Sequence, residues 1–394
     1  MTTVNNEGHT RFPELDGIRG LAILGVLLSH GASLSGLFQD PSVTNMLFRY
    51  CTVPLWGGVD LFFALSGFLI TGILLKTRSR QNYFRSFYAR RILRIFPIYY
   101  FVLTATLIGS HYSLKLAHQL PPTWSWKLAY FLYLQNWPQF WNGQKVMGGI
   151  WGVYWSLAVE EQFYFVWPLL VYLLSPKVIV RVSVIAVVLA LPLRIMMSAR
   201  YFGGDFGLAQ ITSSRIDGLL LGALCALYMH RNKRPVPMKF IITALCLGTM
   251  IMGFIAVFHH SELVGTSSWI LTVGITGFAL LSGAVVAVSQ HHIPFMQRIL
   301  TYPLLRTMGK YSYGIYVYHL LVFIPCSVLI SRHARILLGL SFPARLLLFL
   351  LETVIVFIIA KVSFDYFESP FLRLKKFFAP GQEISAPSLS SAEA

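Results

Sequence analysis

Arg19 and His30 are ionisable residues inside one apolar segment, 17–37, with ten residues between them. In a helix, eleven steps of 100° return to nearly the same face, and the axial separation is roughly 16 Å. Ionisable side chains within a membrane span are costly and face a protein interior or a wet cavity. Two of them on one stripe predict a polar path across the bilayer, with a guanidinium near one surface and an imidazole in the opposite half. Histidine is the usual general base near neutral pH, and a carboxylate on its second nitrogen would orient it. Asp60, Glu160 and Glu161 are the candidate carboxylates. Glu160 and Glu161 are adjacent and cannot share a helix face, so at most one points at His30, and the spacing does not say which.

A second chemistry lies in the run from Arg85 to Pro97, where Arg90, Arg91 and Arg94 lead into an apolar stretch. Guanidinium groups bind phosphates bidentately, so a nucleotide-bearing cytosolic donor is the natural ligand, with anionic lipid as the competing one. His319 falls near the middle of a later span, as a lining residue of the donor path or as a buried, satisfied histidine. Arg215 and Asp217 are expected to neutralise one another. His230, His259, His260, His291 and His292 fall in loops. The four cysteines match neither a disulfide framework nor a zinc spacing, and no metal centre is expected. There is no Walker loop, no Gly-x-Ser-x-Gly and no His-Glu-x-x-His.

These residues need elements to hold them at depth. The chain of 394 residues is 56% hydrophobic and 12% charged, with a mean hydropathy of +0.63. A soluble globular protein has about 25% charged residues, so the composition excludes that class. The predicted fold is all-α: a polytopic membrane bundle of about ten spans at 17–37, 56–75, 93–110, 156–174, 178–197, 211–229, 240–258, 267–288, 312–331 and 345–366. The net charge of +17 reflects basic cytoplasmic loops rather than nucleic-acid binding. With the N-terminus inside, twenty Lys and Arg fall on the cytoplasmic side and eight outside, which predicts cytoplasmic termini. That threading puts His30, Asp60, Glu160, Glu161, Arg215 and Asp217 at one level in the outer half.

Residues 1–16 are read as a cytoplasmic leader without a cleavable signal, 17–370 as the membrane domain, and 371–394 as a disordered cytoplasmic tail. The outer segment 110–155 holds six of the nine tryptophans and no acidic residue. It is an interfacial aromatic belt, or a platform for a sugar or lipid acceptor.

The ordered motifs resemble the bacterial acyltransferase-3 family of integral membrane O-acyltransferases. They are Glu14-Leu-Asp16-Gly-Ile-Arg19-Gly with His30, and Gly58-Val-Asp60 through Ser66-Gly-Phe-Leu-Ile-Thr. Tyr88-Ala-Arg90-Arg91-Ile-Leu-Arg94-Ile-Phe-Pro97 and Trp155-Ser-Leu-Ala-Val-Glu160-Glu161-Gln-Phe-Tyr164 follow. Arg215-Ile-Asp217-Gly and Ser312-Tyr-Gly-Ile-Tyr-Val-Tyr-His319 complete the set. The resemblance covers residues 13 to about 370. It implies transfer of an acyl group, usually acetyl, from cytosolic acyl-CoA to a hydroxyl of an envelope glycan or a glycosylated product, at the bacterial inner membrane. It also implies that Arg19 and His30 form the catalytic signature and that Arg90, Arg91 and Arg94 serve the donor. Many relatives add a soluble hydrolase-like domain; the expectation here is the stand-alone membrane form. The runner-up is a transporter or flippase for a glycolipid or an anion using the same path, although no inverted repeat is evident.

Overall fold

The computed structural model describes residues 3–4, 10–11, 13–35, 37, 48, 51–117, 124–137, 149–201, 209–258, 269–332 and 341–382. A two-residue antiparallel pairing of Thr3–Val4 with Thr10–Arg11 precedes the bundle. Everything else of regular structure is helical. The long helices are α1 (Pro13–Leu34), α2 (Gly58–Thr77), α3 (Tyr83–Ala117), α5 (Tyr154–Leu173), α6 (Pro176–Tyr201), α7 (Thr212–Asn232), α8 (Met238–Phe258), α9 (Ile275–Val288, extended at its start by a π-turn over Ile270–Gly274), α11 (Pro303–Arg332) and α12 (Phe342–Val362). Shorter helices are α4 (Trp124–Phe131), α10 (Pro294–Leu300) and α13 (Ser369–Arg373).

The protein is an all-α polytopic membrane bundle. Apart from a few residues at their ends, the described residues of all ten expected segments are helical, because only a helix satisfies every backbone group within one segment in hydrocarbon. Among the described residues, eight helices are long and apolar enough to cross a membrane on length and composition alone. The two that fall short are α5 and α7. Glu160, Glu161 and Gln162 dilute the first, and Arg215 and Asp217 the second. Of these polar groups Glu160 lines the cavity, while Arg215 and Asp217 form buried ion pairs with neighbouring helices. On α6, α8 and α12, by contrast, Val188, Met250 and Leu347 are well exposed, as lipid-facing side chains are.

Two close helix crossings set the frame. A Cβ on Gly309 of α11 would sit 1.8 Å from the carbonyl oxygen of Asp16 on α1, and a Cβ on Gly222 of α7 would sit 1.8 Å from that of Ala64 on α2. Backbones this close need glycine, and in lipid such packing replaces the hydrophobic drive between helices. The Asp16–Gly309 contact at one end of α1 and the His30–His319 contact further along make α1 and α11 parallel neighbours. Contacts of Gly58 with Ala22, and the cluster of Ile18 with Ala64, Leu65 and Phe68, make α2 antiparallel to α1.

Two buried ion pairs tie the remaining helices. Asp60 of α2 accepts from Arg215 Nη1 of α7 at 2.8 and 3.0 Å, and the Arg215 guanidinium lies 5.1 Å from the rings of both Trp56 and Trp155. Arg194 of α6 pairs with Asp217 at 2.7 Å and also bonds Thr276 of α9. The expected mutual neutralisation of Arg215 and Asp217 is therefore corrected: two positions apart on α7, they face different neighbours, and each finds its counter-ion on another helix.

Two further expectations change. The arginine run does not lie in a loop, because α3 begins at Tyr83 and carries Arg85 through Arg94 as helix. The tail expected to be disordered from residue 371 is ordered as far as 382, through α13 and a 3₁₀ turn at Leu374–Phe378 packed on the start of α3. Residues 383–394 lie outside the described residues, as do Trp141, His259 and His260.

Gly309→Ala is expected to lower stability by about 1–3 kcal/mol, a shift of several degrees in the thermal midpoint of the detergent-solubilised protein. Gly72→Ala meets nothing within 4 Å and should leave the midpoint unchanged. Asp60→Ala leaves Arg215 buried without its counter-ion and should cost roughly 3–5 kcal/mol, more than replacing both partners by apolar residues together.

Candidate active site

The inner walls of α1, α2, α3, α5 and α11 enclose a cavity of about 190 Å³. The helix directions order its lining. Arg19, Arg91, Arg94, Tyr164 and Ile73 surround one end; Val59, Phe62, Ser156, Leu157 and Tyr316 close the other. The first end is strongly positive. Arg19 Nη1 donates to Asp16 at 2.8 Å, whereas Arg91 and Arg94 pair with no carboxylate among the described residues. Arg91 lies 4.6 Å over the Tyr164 ring. Three guanidinium groups converging on one opening form an anion-attracting mouth.

The middle wall is polar on one side. Ser66 of α2 donates to Glu160 of α5 at 2.5 Å, and Tyr164 donates to Ser66 at 2.9 Å. Leu65 and Leu69 supply apolar lining beside them. Glu160 is thus on the cavity wall, while Glu161, 100° further round the helix, is not among the lining residues. This separates the two adjacent glutamates, a point the spacing alone left open.

Among the described residues His30 has no carboxylate partner. Its Nδ1 lies 2.9 Å from Nε2 of His319, and Nδ1 of His319 lies 2.6 Å from the carbonyl oxygen of Tyr316. The direction of these bonds follows from elementary chemistry. A carbonyl oxygen only accepts, so Nδ1 of His319 carries a proton. In neutral His319 the other nitrogen, Nε2, is then an acceptor, and His30 Nδ1 must be the donor. Nε2 of His30 is left with its lone pair available, the form a general base requires. The two rings are nearly parallel, 3° apart.

The expectation that a carboxylate orients His30 therefore differs from the structure: Asp60 is held by Arg215, Glu160 by Ser66, and His319 occupies the place. His319 is fully buried and does not line the cavity, so its expected place on the donor path is not where it lies. Arg90 also leaves the cavity, donating instead to the Lys375 carbonyl at 3.4 Å. Arg91 and Arg94 remain at the mouth.

The continuous polar stripe expected along α1 is absent as well. Ile23, Val26 and Leu27 fill that face between Arg19 and His30 and belong to the main core cluster. The open path instead leaves α1 and runs between α2, α5 and α11, ending at Tyr316, one helical turn short of His319. There the Tyr316 hydroxyl bonds Ser156, and the Tyr316 ring lies 5.6 Å from His319 and 6.2 Å from Phe62. Of the tryptophan-rich segment, Trp151 and Trp155 are buried inside the bundle and Trp124 is exposed, so it is not one uniform belt.

The sequence did not single out Glu352: at the centre of α12, it accepts from Ser35, the residue after α1, at 2.7 Å. A separation of 317 residues conceals the pairing, but a lone carboxylate in the middle of an apolar span was a usable signal.

Comparison with known proteins identifies the family. The family model described as "Acyltransferase domain", of the acyltransferase-3 type, matches residues 12–362. A Bacillus subtilis (strain 168) protein named "Putative peptidoglycan O-acetyltransferase YrhL" is 28% identical over 328 residues, covering 79% of this chain and 48% of that protein. "O-acetyltransferase OatA" of Staphylococcus aureus (strain NCTC 8325 / PS 47) is 27% identical over 389 residues, covering 93% of this chain and 58% of that protein. The chain spans about half the length of these curated relatives. No solved structure matches. With the family motif set in order and the match running through nearly every helix of the bundle, the chain belongs to the acyltransferase-3 family.

Proposed function

We propose that this chain is a membrane O-acyltransferase that moves an acetyl group from cytosolic acyl-CoA to a carbohydrate hydroxyl of the bacterial cell envelope. The observation that carries this reading is the hydrogen-bond chain from the Tyr316 carbonyl through His319 to His30, which leaves His30 Nε2 unprotonated. The relatives' names, one of which specifies peptidoglycan, support a carbohydrate acceptor.

In this mechanism the donor's phosphates dock on Arg91 and Arg94, and its pantetheine arm lies along the cavity between the Ser66–Glu160 wall and the leucines of α2. The thioester arrives beside Ser156 and Tyr316. Tyr316 stands between that point and the histidines, so the donor must displace the Tyr316–Ser156 contact to present its carbonyl to His30. His30 Nε2 removes the proton from the acceptor hydroxyl, and the oxygen attacks the thioester carbon. The C–S bond breaks, and the departing sulfur takes the proton back from His30. His319 holds the His30 tautomer, the part a carboxylate plays in other histidine-based sites. By the charge bias of the loops, the arginine mouth faces the cytoplasm and the histidine pair lies in the outer half of the inner membrane.

His30→Ala should reduce labelled-acetyl transfer from acetyl-CoA by about 10²–10⁴-fold in membranes with normal protein levels. His319→Leu should cost about 10–100-fold, and His319→Gln, whose amide oxygen can accept from His30, should recover part of it. Transfer at the wild-type rate by His30→Ala would end the assignment. Arg91→Ala and Arg94→Ala should raise KM for acetyl-CoA with little change in kcat. A change confined to acceptor KM would show that these arginines do not serve the donor.

A further inference from the structure

The segment after α12 turns back along α3. Asn82 Nδ2 donates to the Ala379 carbonyl at 2.9 Å, Ser86 Oγ to that of Phe378 at 2.9 Å and Arg90 Nη1 to that of Lys375 at 3.4 Å. Asn82, immediately before α3, and Ser86 and Arg90 on it are spaced by four and form one stripe, so the strap lies along that stripe and is fastened at each turn. Gly381 N also donates to Asn82 Oδ1, Arg80 reaches the Gly381 carbonyl at 3.3 Å, and the Arg85 guanidinium lies 5.8 Å from the Phe378 ring. The next residue on the stripe, Arg94, lines the cavity mouth. The end of the strap nearest the mouth carries Arg373, Lys375 and Lys376, and Arg373 and Lys376 are exposed. No acidic residue occurs between 61 and 159 or between 369 and 382. The mouth is thus flanked by a second basic element, held within about one helical turn of Arg94 by contacts to backbone carbonyls, which leave its cations to face outward.

We propose that this strap completes the donor site: Arg373 and Lys376 bind the phosphorylated nucleotide end of coenzyme A, while Arg91 and Arg94 take the phosphates nearer the cavity. The inference rests on acyl-CoA being the donor. It assigns Arg90 a different part from its neighbours, that of fastening the strap. A ligand with several phosphates spread over a nucleotide needs more than two adjacent arginines, and two basic elements meeting at one mouth supply that spread.

The test is equilibrium binding of coenzyme A, pantetheine and adenosine 3′,5′-bisphosphate to the full chain in nanodiscs of zwitterionic lipid. The variants are Arg373→Gln/Lys376→Gln and, separately, Asn82→Ala/Ser86→Ala, which loosens the strap without removing a cation. Both should weaken coenzyme A and the bisphosphate by about tenfold relative to pantetheine, which lacks the nucleotide. If the wild type binds coenzyme A and the ratio to pantetheine is unchanged in both variants, the strap proposal fails while the donor reading stands. If the wild type binds no coenzyme A, both fall. If the variants change only the dependence on added anionic lipid, the strap is a membrane-surface patch and the proposal is wrong.

Discussion

A polar side chain placed in hydrocarbon must find its partner on another helix, because water is not there to supply one. Nearly every feature of the site follows from that constraint. Asp60 is satisfied by Arg215, Arg194 by Asp217, Glu160 by Ser66, Glu352 by Ser35, and His30 by His319. Each pair joins two different helices, so the groups that would be costly alone become the pins that fix how the bundle assembles. Close crossings at Gly309 and Gly222 bring the backbones near enough for short side chains to meet. The histidine pair owes its geometry to this frame: α1 and α11 run side by side, and the Tyr316 carbonyl dictates which nitrogen carries the proton.

The same frame divides the interior. One part is open, positive at its mouth and lined by a mixed wall; the other is packed around the fully buried His319, with His30 half-buried beside it. Tyr316 belongs to both, through its ring, its hydroxyl on Ser156 and its carbonyl on His319. A separation of this kind suits a reaction in which a thioester should not meet water before the acceptor is in place. In the proposed mechanism, motion of that one aromatic side chain couples arrival of the donor to the base. The mouth is lined from α1, α2, α3 and α5, and the strap lies beside it along α3.

Much of this was legible in the sequence, and the reasons for the rest are specific. Apolar run length marked all ten helical segments, since hydrocarbon leaves few alternatives to a helix. Arg19, Arg91, Arg94 and Glu160 were found by type and position, and all four line the cavity. What depth alone did not supply was azimuth. Asp60 is placed at the level of His30 by the threading, yet it faces α7 and Arg215. His319 was open to two readings, a lining residue or a buried, satisfied histidine, because its span was known but its rotation was not; it is the buried one. Arg90, one residue from Arg91, is turned about 100° away and meets the strap instead. The strap itself was hidden by its neighbour: the Ser, Ala and Pro-rich residues after 382 make the whole tail look unstructured, and the strap's anchors are backbone carbonyls that leave no mark in side-chain patterning. Pairings such as Ser35 with Glu352 carry no local signature at all.

The most direct measurement is a structure of the protein bound to a non-hydrolysable thioether analogue of acetyl-CoA. The expected result places the phosphates at Arg91 and Arg94, the pantetheine arm along Ser66 and Glu160, and Tyr316 parted from Ser156, with the acyl carbonyl open to His30 Nε2. An analogue bound outside this cavity, or one that fills it while Tyr316 stays on Ser156 and His30 stays sealed from the acyl group, would contradict the account.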